Sequence, residues 1–571
     1  MPAVLVLALL AQAGPGSNVA PQEPPTSGQR GPEWVASYVA DHDALLRVYD
    51  VPAWPRRYER MRAFGEGWLE RMELLDREDR PLQERLDWLL LRDRIRRDLD
   101  LEALERRRFE EVQPFLGFAD PLVTLVADLR LRKPAAAEEA ARVLARAAEE
   151  IVKEREDLRE AGTKAAPAVA DRAARTCERL RRELEGWYRF HADSDPVFTW
   201  WVDAPYRKVR KALADQADFL RRDVGGLDPD DEDALVGDPI GRDALMRELA
   251  AERIAYSPEE LVQIGERELA WCQERMREAA EEMGYGDDWR AALDHVKEDH
   301  VPPGEQPRLI VELAEEAVRF LDEHELVTIP PLARETWRIR MMTTEQQRFT
   351  PYFTGGEVIS IAYPTREMEY EDKLMSLRGN NVHFSRATVH HELIPGHHLQ
   401  GFMARRFLPH RRAFHSPFLV EGWALYWELL LWDLGFVDTP EGRLGMLFWR
   451  AHRAARIVFS MRYHLGEWTG EECVDFLVRE AAREPRNARA EVRRSIAGGY
   501  PPLYQCAYLV GGLQLRALHD RLVGREGWSE RRFHDAVLRQ GPVPIAFVRA
   551  ALSGEEPPLD GPGDWRFYPL D

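Results

Sequence analysis

Residues 387–400 read Ala-Thr-Val-His-His-Glu-Leu-Ile-Pro-Gly-His-His-Leu-Gln, which puts four of the chain's 16 histidines and a glutamate within nine positions. Neutral imidazoles and carboxylates are the side chains that grip a divalent cation. A catalytic zinc site also needs an open position for water and a carboxylate beside that water to take its proton. On an unbroken helix the usual arrangement is His-Glu-x-x-His, because residues four apart share one face. This segment has a different spacing. His391 and His397 are six apart, which on a regular helix means about 240° around the axis and about 9 Å along it. Between them stand Pro395, which lacks the N–H that would continue the ladder, and Gly396, which reaches dihedrals other residues avoid. A bulge or break there can swing His397 back to the face of His391. The pair His391 and His398 keeps the angular match but leaves about 10 Å of rise, so it ranks second. Glu392, next to the first histidine, is placed to be the general base. Taken singly each histidine would pass for a packing residue; it is their density that points to a metal.

The same stretch resembles the bacterial family known as domain of unknown function 885, whose hallmark is His-Glu-x-x-Pro-Gly-His-His-Leu-Gln, matched here over 391–400. The resemblance implies a gluzincin-type zinc metallopeptidase in which a downstream glutamate completes the ligand set. The corresponding segment is Glu421-Gly-Trp-Ala-Leu-Tyr-Trp-Glu428, so Glu421 becomes the third ligand and Glu428, two turns on, a supporting acid. Two later segments are similar to the family as well. Arg456 to Trp468 carries His464 before a Gly-x-Trp, without the acidic residue often found within it. The run Gln505-Cys-Ala-Tyr508-Leu-Val-Gly511 carries Tyr508. Tyr508 is the candidate donor to a developing oxyanion and His464 a second candidate. The expected reaction is zinc-assisted hydrolysis of a peptide or small amide substrate, with Zn2+ held by His391, His397 and Glu421 and Glu392 as base. A zinc amidase acting on a non-peptide bond would use the same groups, and a non-catalytic helical binding protein would have no use for Glu392.

Composition bounds the remaining choices. The net charge of -20 lacks the concentrated basic surface that pays in counterion release, so nucleic acid is excluded as a partner. The arginine groups Arg106 to Arg108 and Arg179, Arg181 and Arg182 are flanked by glutamates at helical spacing and read as solvated faces. Four scattered cysteines form no metal-binding pair and read as structural, with one bridge open to them in an exported protein. The apolar run at 3–13, too short to span a bilayer, ends in Ala-Gln-Ala and is followed by polar, Pro-rich sequence. That is the plan of a cleavable secretory signal, although no Lys or Arg precedes it. The expected location is periplasmic or extracellular, with no membrane attachment after signal removal.

The elements that must position the cluster are mainly helical. Apolar residues recur at three- and four-residue steps around Trp88, over 135–153, 168–188 and 258–283. Ser257-Pro-Glu-Glu is a helix start. Three runs within 327–363 (Val-Thr-Ile-Pro-Pro, Trp337 to Met342 and Glu357 to Tyr363) favour strands and predict a small sheet just ahead of the histidines. By analogy with related peptidases, an extended substrate would add to that sheet around 357–363. The expected architecture is a signal and spacer (1–32), an N-terminal helical scaffold (33–325) and a catalytic region (326–571) with the small sheet, the metal-site helices and C-terminal helices.

Overall fold

Ser257 starts its helix by the chemistry its neighbours provide. Its hydroxyl accepts the N–H of Glu260, the Glu260 carboxylate accepts the N–H of Ser257, and Pro258 fills the first helical position, where no N–H is needed. The helix Pro258–Glu282 buries Leu261, Ile264, Leu269, Cys272 and Met276 and lies along Pro440–His464. The other periodic stretches are helices too: Leu82–Val112, Ala137–Glu160 and Pro167–Ala192. These come from a computed structural model that describes residues 30–570 apart from 52, 76, 229, 232–233, 350–352 and 498. The signal-like run and nearly all of the spacer lie outside the described residues.

The protein is mainly α. Its largest apolar cluster joins the first helices (Trp34 to Ile95) to side chains from Leu245 onward, through the histidine segment and as far as Phe567. A second cluster gathers Val51 and Ala53 with residues between Val112 and Val224. A third, small one lies under the sheet, where Ile359 and Ile361 meet Ile310, Leu313, Val389 and Leu393. That contact seats the sheet against the histidine helix.

The sheet has two parallel strands among the described residues, β1 (Arg338–Met341) and β2 (Val358–Ile361), in register Arg338 to Val358. The first β-favouring run is different: Pro330 and Pro331 open a short helix, Pro331–Thr336, and proline at the first position suits a helix start better than a sheet ladder. The outer side of β2 is also partly taken. Ser360 exchanges both backbone hydrogen bonds with Thr354, so a substrate could not pair along the whole of 357–363 as the sequence suggested. All four cysteines are buried and free, which leaves no bridge among them. No helix among the described residues is long and apolar enough to cross a membrane.

Two C-terminal helices set the site's dimensions. Pro417–Asp433 packs on Tyr504–His519 through a glycine contact: a Cβ on Gly422 would lie 2.6 Å from the Gly511 backbone, and one on Gly511 would lie 2.0 Å from the Phe418 carbonyl oxygen. Gly511→Ala is therefore expected to force the helices apart and destabilise the protein by about 1–3 kcal/mol. Gly512→Ala, whose Cβ meets only ordinary contacts at 3.4 Å or more, should be neutral or stabilising through helix propensity. Thermal unfolding of the two variants side by side checks this; equal midpoints would show that the contact does not set the spacing.

Candidate metal centre

The helix Val382–Glu392 begins at Asn381, whose side chain accepts the N–H groups of His383 and Phe384, and it delivers His390, His391 and Glu392 at its last turn. It stops at Leu393, and a new helix, His397–Ala404, starts four residues later. In the interruption the Ile394–Pro395 peptide is cis, Gly396 N–H donates to the His390 carbonyl at 3.0 Å, and His398 N–H donates to Leu393 at 3.0 Å. The chain thus folds back on itself. Only glycine fits at 396, since a Cβ would stand 1.7 Å from the His391 carbonyl oxygen. The break is fastened to Pro417–Asp433 by the Trp423 indole N–H, which donates to the Pro395 carbonyl at 2.8 Å, and by the Gln400 amide, which donates to Leu419 at 2.9 Å.

That fastening helix also carries Glu421. The rings of His391 and His397 stand 4.8 Å apart at 86°, and Glu421 Oε2 lies 3.2 Å from His397 Nε2 and 3.9 Å from His391 Nε2. One ligand atom from each of the three lies within 4.8 Å of the others. Tetrahedral donors bound to one zinc ion at about 2.0–2.2 Å stand about 3.3–3.6 Å apart, close to the two histidine–glutamate separations here. Glu421 Oε2 is buried with no hydrogen-bond partner among the described residues, whereas Oε1 accepts the Tyr504 hydroxyl. Glu428 accepts from His391 Nδ1 at 2.6 Å, which fixes the tautomer and leaves the Nε2 lone pair facing Glu421. The donor set and its supports fit a divalent cation.

Electrostatics agree with the geometry. Burial drives His391 well below the usual imidazole range, with His397 and Arg453 adding to the effect, so it stays neutral as a ligand must. Burial alone would lower His397 and raise Glu421, but their mutual attraction reverses both, holding His397 above and Glu421 below its ordinary value. The pair is built around one positive charge that a proton or a cation can supply. Burial pushes Glu392 up to about 7, with His397 opposing and Glu421 adding to the rise. A carboxylate poised there can take a proton and give it back.

The structure separates the remaining candidates. His398 turns away, its Nε2 within 2.7 Å of the Ala333 carbonyl, so the six-residue pair and not the seven-residue one converges. His390 is buried edge-on against Phe436. Tyr508 lies at the site, its ring 6.3 Å from that of His391 and nearly parallel, its hydroxyl 3.4 Å from that of Tyr504. His464 does not join them. It ends the helix Pro440–His464 three turns beyond Arg453, which approaches Glu428 to 3.9 Å, and the helical rise carries it about 16 Å farther on. There it lines a separate cavity of about 530 Å³ with Arg108, Asp238 and Tyr500.

Four contributors are not marked in the sequence. Tyr504 sits one turn before Tyr508 and holds Glu421; its only signal was that helical spacing. Arg453 and Arg456 lie over the Tyr508 ring at 4.9 and 4.8 Å. Gly355 marks a close approach: a Cβ there would stand 2.2 Å from Glu392 Oε2, and Gly356 N–H donates to the Glu392 carbonyl at 3.2 Å.

A mainly helical body with one two-stranded sheet, its broken helix gathering two histidines to a glutamate from a second helix, is the class that fold and site define. The chain belongs to the bacterial family of proteins of unknown function DUF885, which it matches over residues 32–552. No curated protein matches it. Among solved structures it is similar to a "putative lipoprotein of unknown function" from Shewanella oneidensis, at 16% identity and a TM-score of 0.67, covering 92% of this chain and 100% of that one. It is also similar to a "putative lipoprotein" from Colwellia psychrerythraea, at 17% identity and a TM-score of 0.58, covering 93% and 99%. At such identities the likeness establishes the fold.

Gly396→Ala is expected to lower the thermal midpoint by several degrees, because the His391 carbonyl must move to admit the methyl group. Gly401→Ala, which meets nothing closer than 3.9 Å, should not lower it. If alanine were accepted equally at both positions, the fold-back would not depend on the close approach.

Proposed function

We propose that this chain is an exported zinc-dependent hydrolase of peptide bonds. The observation that carries the reading is the convergence of His391 Nε2, His397 Nε2 and the buried Glu421 Oε2 on one point, with Oε2 facing only the two imidazoles and the Glu392 carboxylate electrostatically coupled to His397 and Glu421. Two imidazoles, one carboxylate and an adjacent base are the donor set of catalytic zinc, and the arrangement resembles that of the gluzincins. Bound there, zinc would polarise a substrate carbonyl and bring the pKa of water toward neutrality.

The protein's own groups supply the rest. Glu392 takes the proton of the attacking water and returns it to the leaving amine, for which its raised affinity for a proton suits it. Gly355 lies against the Glu392 side chain, leaving it the space a larger residue would fill, and Gly356 N–H holds the Glu392 carbonyl. Burial pushes the Tyr508 hydroxyl up, so it remains a proton donor at neutral pH, and its contact with Tyr504 is long enough to exchange for an oxyanion. Glu428 orients His391 and Tyr504 orients Glu421, so neither ligand has to be organised when the ion arrives. Export is supported by the signal-like N-terminal run and by the lipoprotein descriptions of the two similar structures.

Elemental analysis of purified protein, with a peptide-library digest run with and without chelator, tests the proposal. One zinc per chain and chelator-sensitive cleavage are expected. Glu392→Gln should keep the zinc and lose at least about a thousandfold in kcat, while Glu421→Gln and His391→Ala lose the metal. Glu428→Gln should weaken zinc about 10–100-fold, read by competition with a chelating dye. Turnover untouched by Glu392→Gln would falsify the assignment of the base. Tyr508→Phe is expected to lower kcat by about 10–1000-fold with little change in KM, and an unchanged kcat would remove it from the oxyanion role.

A further inference from the structure

Next to the proposed zinc ligands stand two buried cations that the mechanism does not use. Arg453 is 7% exposed and Arg456 6%. Arg453 lies over Trp449 at 5.0 Å and over Tyr508 at 4.9 Å, so aromatic faces hold its planar guanidinium and leave its N–H edges as the groups to be satisfied. Its Nε has no hydrogen-bond partner among the described residues. Its ion pair with Glu428 is loose at 3.9 Å, and Glu428 is already engaged by His391 at 2.6 Å. Arg456 shares the Tyr508 ring at 4.8 Å. Its Nε donates to Glu491 at 2.8 Å while its Nη1 has no partner, and Glu491 also serves Arg494 and Gln505.

Buried guanidinium groups are retained where an anion pairs with them, and a carboxylate matches their forked N–H groups two to two. The path from Arg453 through Glu428 and His391 to an ion on Nε2 spans at most about 11 Å, roughly two extended residues with the contacts at either end. We infer that Arg453 and Arg456 form the subsite for a substrate's free C-terminal carboxylate, so that the preferred substrates are short peptides cut within two residues of their C-terminus. This rests on the peptidase reading for the cleavage, but not for the binding of the carboxylate.

Two measurements separate the two claims. In the first, zinc-loaded Glu392→Gln protein, which cannot turn over, is titrated calorimetrically with N-acetyl-Ala-Ala as the free acid and as the C-terminal amide. The acid is expected to bind at least tenfold more tightly, and the preference should fall to within about twofold when Arg453→Gln is added. Arg456→Lys, which keeps the charge but loses the fork, should reduce it by at least threefold, and thermal midpoints identify any variant that has not folded. Equal binding of acid and amide, or a preference that survives in both folded arginine variants, overturns the inference. In the second, wild-type protein digests one peptide library in free-acid and amidated forms. Cuts confined to the last two residues of the free acids support the inference, and internal cuts made equally fast in both forms overturn it. Acid-selective binding without cleavage of either library would leave the carboxylate subsite standing and remove the peptidase reading.

Discussion

Most of the site hangs on the packing of one helix, Pro417–Asp433, against its neighbours. Glu421 and Glu428 are seven residues apart on it, which places them on one face about 10 Å apart. The imidazole of His391 bridges that interval, with Nδ1 on Glu428 and Nε2 facing Glu421. The same helix ties down the broken segment through Trp423 and so sets where His397 stands. Its distance from Tyr504–His519 is set in turn by Gly422 and Gly511, and that spacing lets the Tyr504 hydroxyl reach Glu421. Glu421, Glu428 and His397 are therefore positioned by one rigid element, and a shift of a few tenths of an ångström in it would be felt at all three.

The charge balance follows from this geometry. Three carboxylates, Glu392, Glu421 and Glu428, occupy one interior region, and water is largely kept from it. Leaving them uncompensated would be costly, and each is handled differently. Glu428 takes the His391 N–H, Glu421 takes the Tyr504 hydroxyl and faces His397, and Glu392 keeps a raised affinity for a proton. One of the three is thereby left able to exchange a proton near neutrality while the other two are committed to positioning.

Much of this was legible in the sequence, for identifiable reasons. Histidine density, and a Pro-Gly pair between imidazoles at a spacing no regular helix tolerates, required a break, and the structure supplies one. Helices were readable where the periodic pattern ran for many turns and where Ser257 provided a full capping box. Glu421 was a different matter, since nothing local marks one acid among 99; it was reachable only through family resemblance. His464 was misplaced because a motif says which residues recur, whereas helical rise decides how far each stands from the centre. Tyr504 went unnoticed because its role depends on a helix-to-helix distance, which is a property of two glycines on different elements.

Gly355 shows the same limit from the other side. In sequence the pair Gly355-Gly356 separates two strand-like runs, and a turn is a sufficient explanation for it. In the fold only Gly356 has the positive φ that a turn would demand, at 113°, while Gly355 is there because the Glu392 carboxylate occupies the space of its side chain. A loop that touches Glu392 so closely makes the sheet part of the candidate site even where its edge is already paired by Thr354. The sheet's contribution is then to hold a glycine backbone against Glu392, with the outer side of β2 at Ser360 already paired to Thr354.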